Sequence, residues 1–177
     1  EDGCIRDTSL ESMSKLNPVF RDNGSVTAAT SSPLTDGAVC MLVCSSEFAE
    51  KNGLEPLARI VTSAVTGCPP NMMGIGPISS TQKALERSGW HIDDIDVFEI
   101  NEAFSSQSIA VINELSIDYQ KVNIDGGAIS IGHPLGASGA RIVGKAASIL
   151  NRTNSERAIA TMCIGGGMGI TIVLESP

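Results

Sequence analysis

The run Gly126-Gly127-Ala128-Ile129-Ser130-Ile131-Gly132-His133-Pro134-Leu135-Gly136-Ala137-Ser138-Gly139 sets one titratable ring among glycines, directly ahead of a helical pattern. Glycine is needed where φ is positive or where backbone must come close to something. Pro134 restricts the backbone of His133. The ring is therefore held stiffly beside a helix N-terminus, whose free amides and dipole favour developing negative charge. Such a make-up fits an active-site loop; the competing reading is a tight turn between packed elements.

A second candidate lies downstream, in Cys163-Ile164-Gly165-Gly166-Gly167-Met168-Gly169. The cysteine closes the apolar run 158–162 and opens a glycine turn. A thiolate serves as nucleophile or base, and amides exposed by a glycine turn can hold an oxyanion. Buried cysteines are nonetheless common and mostly inert. A third candidate is Asn101-Glu102-Ala103-Phe104, after the apolar stretch 95–100. An Asn at such a junction fits two roles: capping the next helix, or orienting a water or a carbonyl. Glu102 fits either acid–base work or the orienting of loops by hydrogen bonds, the second being favoured.

The elements that must position these residues read as follows. Thr8-Ser9-Leu10-Glu11 is a capping-box pattern opening a short helix to about Lys15. Residues 17–36 carry Pro18, Gly24 and Pro33 among many Ser and Thr and read as an extended linker and loop. Residues 38–44 read as a buried strand and 46–52 as a helix ended by Gly53. Leu57 to Val65 reads as a strand rich in β-branched residues. Pro77 opens a helix that Gly89 closes. A strand over 95–100 precedes a helix over 103–115, with Phe104, Ile109, Val111 and Ile112 available for burial. A helix from about Ala137 to Leu150 and strands over 157–163 and 169–174 complete the chain. The order β-α-β-α-β-α-β-β predicts an α/β fold, a mixed sheet with helices on its faces. Asn101, His133 and Cys163 would then sit at element ends, where α/β proteins place chemistry.

Taken together and in this order, Asn-Glu-Ala-Phe, Gly-His-Pro-Leu-Gly-Ala-Ser-Gly and Cys-Ile-Gly-Gly-Gly-Met-Gly resemble the thiolase family. The resemblance covers essentially the whole chain. The run from Gly76 to Trp90 adds to it, and the details are most similar to the short-chain, biosynthetic type. It implies a thiolase-type layered fold, of which this chain resembles one half: residues 1–36 as the end of a loop domain and linker, 37–177 as the C-terminal core domain. Thiolases use a nucleophilic cysteine in their N-terminal half, and no residue here matches that motif. The resemblance therefore implies a C-terminal piece, inactive alone, and the start at Glu1 without a methionine agrees.

By the same resemblance, the reaction is the condensation of two acetyl-CoA to acetoacetyl-CoA and CoA, and its reverse. His133 would activate the nucleophile and polarise the thioester carbonyl, with Asn101 holding a water in that oxyanion hole. Cys163 would be the acid–base group at the α-carbon, and the Gly165 amide part of a second oxyanion hole. Ser32 and Ala28 match positions that touch the pantetheine arm; Met73 and Phe104 match positions lining the pocket. Thr30, Ser31 and Pro33 depart from the family's usual residues around that serine. No cofactor is implied beyond CoA thioesters as substrates, and a homodimer or homotetramer is implied. Two alternatives stay open: a degradative 3-ketoacyl-CoA thiolase for longer chains, and a non-catalytic half that binds CoA or a partner. A β-ketoacyl synthase needs a second catalytic histidine, for which His91 is badly placed.

With 177 residues the chain can bury one real core; at 42% hydrophobic but 3% aromatic, that core should be aliphatic. The net charge of -8 argues against a nucleic-acid or anionic-membrane surface. Cys4, Cys40, Cys44, Cys68 and Cys163 show no paired spacing, so neither a disulfide framework nor a zinc site is suggested. Cys40 and Cys44 read as core residues, and a reducing cytoplasm fits. His91 reads as a solvated loop histidine, and Asp93, Asp94 and Asp96 as a solvated acidic turn. No apolar run is long enough to span a membrane.

Overall fold

Four strands form one mixed sheet in the order β1-β4-β3-β2: β1 (Arg59–Gly67), β2 (Val97–Ile100), β3 (Arg157–Ile164) and β4 (Met168–Glu175). The computed structural model describes residues 3–177. β2 runs parallel to β3, with Ile100 opposite Thr161. β3 and β4 are antiparallel, with Cys163 opposite Gly169, and β4 continues antiparallel to β1. The helices are α1 (Leu10–Ser14), α2 (Ser46–Lys51), α3 (Gly76–Ser88), α4 (Ser105–Glu114), α5 (Ala128–Ile131) and α6 (Leu135–Thr153).

Strand pleating sends alternate residues to opposite faces, and here each face has its own core. Phe98, Ile100, Ile159 and Val173 pack with Ala84 and Leu85 of α3 and Val111 and Ile112 of α4. Val97, Ala158, Ala160 and Leu174 pack with Ile142, Ala146, Ile149 and Leu150 of α6. Both cores are aliphatic apart from Phe98, as the composition predicts. Every residue of β2 is buried, since a parallel strand covered on both faces has no wet side. Glu99 therefore enters the interior on the α6 side, next to Val97. Beneath α3, Thr171 bonds Ser80, Thr81 and Thr161 through hydroxyls, which satisfies four buried polar side chains at once.

α3 begins against the start of β4. A Cβ on Gly169 would fall on the Gly76 carbonyl, and one on Gly76 would strike the Met168 carbonyl, so only glycines allow the approach. Gly89 closes α3 at φ +73, the left-handed cap expected after the last turn.

Four expectations change. Residues 38–44 form no strand: among the described residues no backbone ladder pairs with them, and Val39, Met41, Leu42 and Val43 are exposed. A run of apolar residues becomes a strand only where a neighbour accepts its backbone bonds. Cys40 and Cys44 are exposed for the same reason, not core residues. Ile109 faces outward on α4 while Val111 and Ile112 are buried, because the helix offers only one stripe to the sheet. Ser9, not Thr8, caps α1, accepting from the Ser12 amide. Among the described residues no helix is long and apolar enough to cross a membrane.

Candidate active site

β2 and β3 end side by side, and the Asn101 amide donates to the Thr161 carbonyl, 3.0 Å away. Asn101 thus leaves its strand beside the last residues of β3, where Cys163 stands. The N-terminus of α6 brings His133 to the same end of the sheet. Asn101 Nδ2 and His133 Nε2 are 3.3 Å apart, and His133 Nδ1 lies 2.5 Å from Ser138 Oγ. Asn101 therefore contacts the histidine and does not cap α4, whose N-cap position is Phe104, without a side-chain cap bond.

The hydrogens along this line are fixed from its two ends. Ser138 Oγ donates to the Pro134 carbonyl at 3.1 Å, and a carbonyl can only accept. The hydroxyl has one hydrogen, so it must accept from Nδ1–H of His133. Nε2 then carries the lone pair and accepts from Asn101 Nδ2. At the other end Arg141 Nη2, which can only donate, faces Asn101 Oδ1 at 3.5 Å. Burial and the charge of Arg141 both push the His133 pKa down, so the ring is neutral at neutral pH with a basic nitrogen available.

Two loops are held by side chains. Glu102 uses both carboxylate oxygens, accepting from Asn123 Nδ2 at 2.9 Å and from the Ile129 amide at 3.1 Å. It ties the Asn101 loop to α5, and a Cβ on Gly127 would run into its carboxyl group. Asn123 also bonds both the amide and the carbonyl of Ile100. Asn123 carries no motif; its left-handed φ of +45 is the one local sign of its role, and that is seen only in the fold.

Residues 31–35 cross both loops as an extended strap. Ser32 donates twice to the Ala103 carbonyl, through its amide and its hydroxyl. Pro33 accepts from the His133 amide at 3.0 Å. Ser31 bridges to Phe104 and Leu34 to His133. Thr35 sits against Gly132, which adopts φ +97. Ala28 stands exposed in a short turn just before the strap, and Phe104 packs edge-on to Phe20, with ring centroids 6.2 Å apart.

Cys163 is half-buried, and desolvation pushes its thiol pKa up, with a further push from Cys68. Cys68 in turn faces the Met72 and Met73 carbonyls, so Met73 lies on the Cys163 side of the site, partly exposed. The turn after Cys163 needs glycine at Gly166 and Gly167, at φ +82 and +81. Gly165 differs: its φ is not left-handed, and a Cβ there would meet nothing within 4 Å. The fold does not require that glycine, and open space lies in front of it.

The other singled-out groups lie elsewhere. His91 is exposed beyond α3. Asp96 accepts from the Glu156 and Arg157 amides, and Asp94 faces Arg157 at 3.5 Å. Among the described residues no group of His, Cys, Asp and Glu is arranged to hold a metal.

Residues 54–176 match the family described as thiolase, C-terminal domain, and residues 1–47 the thiolase N-terminal domain. The chain belongs to the thiolase family. It is 46% identical to the acetyl-CoA acetyltransferase of Chromobacterium violaceum over 97% of its own length and 44% of that protein's. Its structure is similar to that of Bacillus anthracis acetyl-CoA acetyltransferase, with a TM-score of 0.97 at 43% identity, covering 100% of this chain and 45% of that one. It is also similar to human mitochondrial 3-ketoacyl-CoA thiolase in complex with CoA, with a TM-score of 0.93 at 42% identity, covering 99% and 45% of the two chains. The chain thus spans somewhat less than half the length of these thiolases, and the names they carry include two activities. The thiolase-type α/β fold expected from the motifs is the fold observed.

Proposed function

We propose that this chain supplies the acid–base half of a thiolase site that joins two acetyl-CoA into acetoacetyl-CoA and CoA, and runs the reverse thiolysis. The nucleophilic thiol that carries the acyl group comes, in this reading, from outside the residues described. The observation that carries the proposal is the line Ser138, His133, Asn101 beside Cys163 at one end of the sheet. It offers a neutral imidazole whose Nε2 lone pair meets the Asn101 amide, at the same end of the sheet as a protonated thiol.

His133 Nε2 takes the proton of the nucleophilic thiol, and the thiolate attacks the thioester carbonyl. The protonated Nε2 then donates to the oxygen that gains charge, and Asn101 turns an amide hydrogen to a water at the same oxygen. As the acyl group moves to the nucleophile, Cys163 gives its proton to the departing CoA thiolate. The Cys163 thiolate then removes the α-proton of the second acetyl-CoA, while the Gly165 amide stabilises the enolate oxygen. Attack of that carbon on the acyl-cysteine carbonyl forms the C–C bond and expels the nucleophile as thiolate, which takes its proton back from His133. Its raised pKa makes the thiolate a strong base once formed and keeps the resting group a thiol. Ser32, Ala28, Met73 and Phe104 would meet the pantetheine arm and the acyl pocket. No cofactor beyond CoA thioesters enters this scheme, and the working unit would be a homodimer or homotetramer.

The second reading, a degradative 3-ketoacyl-CoA thiolase for longer chains, is favoured by the likeness to the human 3-ketoacyl-CoA enzyme. One assay separates the readings: thiolysis of acetoacetyl-CoA and of longer 3-ketoacyl-CoA thioesters by the polypeptide as its source cell makes it. A preference for acetoacetyl-CoA supports the first. A preference for long chains supports the second, and no turnover with any chain length, with fold intact, overturns both in favour of a non-catalytic half.

A further inference from the structure

Asn101 is buried, yet its side-chain amide has two edges that a half-turn would exchange. That exchange matters in the proposed reaction. Once His133 has taken a proton, Nε2–H points at the Asn101 amide, and a rotated amide would offer it Oδ1. The resulting bond would occupy the very hydrogen needed at the substrate oxygen.

Arg141 stands where it can prevent this. Its Nη2 faces Asn101 Oδ1 at 3.5 Å, so rotation would set the Asn101 NH2 against a guanidinium. The charge of Arg141 on α6 acts on Glu99, which is 1% exposed on the α6-facing side of β2. Glu99 Oε1 and Arg141 Nε both lack hydrogen-bond partners among the described residues, so charge, not a close bond, relates the pair.

We infer that Arg141 is a positioning residue for the proposed thiolase reaction: by holding the Oδ1 edge of Asn101 it keeps Nδ2 toward His133, and so leaves His133 Nε2, once protonated, free to donate to the substrate carbonyl oxygen. This rests on the functional reading above. The charged and titratable groups on the surrounding elements are Arg141 and Lys145 on α6, Glu99 on β2, Glu102 after it, Asp125 before α5 and Cys163 on β3. Of these, Arg141 is the one whose charge acts on His133. Asp125 is occupied by Arg152 and Lys145.

The test measures kcat and KM for thiolysis of acetoacetyl-CoA in the intact polypeptide as its source cell makes it, for Arg141→Met, Asn101→Ala and the double variant. Arg141→Met is expected to lower kcat on the order of tenfold or more with KM little changed. In the Asn101→Ala background the same substitution should cost less than about threefold, because the residue it acts through is gone. Equal losses in both backgrounds would overturn the inference. The acid limb of the kcat profile should also move to higher pH in Arg141→Met, since removing a positive charge raises the His133 pKa; an unmoved limb counts against it. Arg141→Met leaves Glu99 buried with only the charge of Lys145 to offset it, so Arg141→Met/Glu99→Gln is measured in parallel and should show the same pattern. Absence of thiolysis in the unmutated protein would sink the functional reading and with it the catalytic consequence, while the hold of Arg141 on Asn101 and on the His133 tautomer is still read by itself. The imidazole nitrogen shifts of His133 then decide: a single Nδ1–H form that becomes mixed in Arg141→Met supports the inference, and an unchanged form overturns it.

Discussion

Asn101 Nδ2 lies 3.3 Å from His133 Nε2, although 32 residues separate the two along the chain. Their meeting depends on a parallel strand pair that ends beside a helix N-terminus. It also depends on Ser138, fully buried one helical turn further on, which fixes the ring from behind.

Ser138→Ala removes the acceptor of Nδ1–H and frees the imidazole to change tautomer. Acylation of the nucleophile should slow on the order of tenfold to a hundredfold. Stability should fall by about 1 kcal/mol, the usual net worth of a lost hydrogen bond. Rapid-quench measurement of the acyl-enzyme checks the first, and urea unfolding the second. Full-speed acylation would remove Ser138 from this role.

Cys163→Ala should reduce condensation by more than about a hundredfold, within the range for loss of an acid–base group. Acyl transfer from acetyl-CoA to the nucleophile should survive, because the proposed scheme assigns that step to His133. His133→Ala should show the opposite emphasis, with slow acylation. Labelled acetyl-CoA, followed separately into protein and into acetoacetyl-CoA, distinguishes them. Parallel loss of both steps in Cys163→Ala would contradict a base role confined to condensation.

Glu99 should make stability depend on pH. Burial pushes its pKa up from 4.5 to about 7, against the lowering effect of Arg141 and Lys145. The folded state therefore binds more protons than the unfolded chain between those values, so this contribution falls as pH rises across the window and levels off above it. The whole effect is on the order of 3 kcal/mol. Glu99→Gln should flatten the slope between about pH 4.5 and pH 7 in denaturant unfolding. A slope that persists in the variant would assign it to another group.

Two glycines near Cys163 should respond in opposite ways. Gly169→Ala drives a methyl group into the Gly76 backbone, and overpacking of this kind costs roughly 1–3 kcal/mol or more. Gly165→Ala meets nothing, so stability should stay within about 0.5 kcal/mol. Turnover of Gly165→Ala should fall nonetheless, because the methyl occupies the space in front of the amide. Thermal unfolding and kcat/KM on the same samples test the contrast.

Where a residue type forced its own conformation, the sequence was a good guide. Pro77 and Gly89 bracketed α3, the β-branched run found β1, and the three motifs led to one end of the sheet. The misses share a different cause. A strand over 38–44 needed a neighbour to pair with, which no pattern in the run itself supplies. Asn123 and the hydroxyls around Thr171 act through contacts across distant segments, so nothing in their own neighbourhood marks them. Glu102 was legible in part: its type suggested loop orientation, while the partners Asn123 and Ile129 came only with the fold.

The strap at residues 31–35 joins the Asn101 loop and the His133 loop into one mechanical unit, since Ser32 holds Ala103 while Pro33 holds His133. Substitution at Ser32 would shift Asn101 and His133 together, before any substrate arrives. A defect there would then appear in kcat as much as in KM, the mark of a disturbed frame and not of a missing handhold for pantetheine.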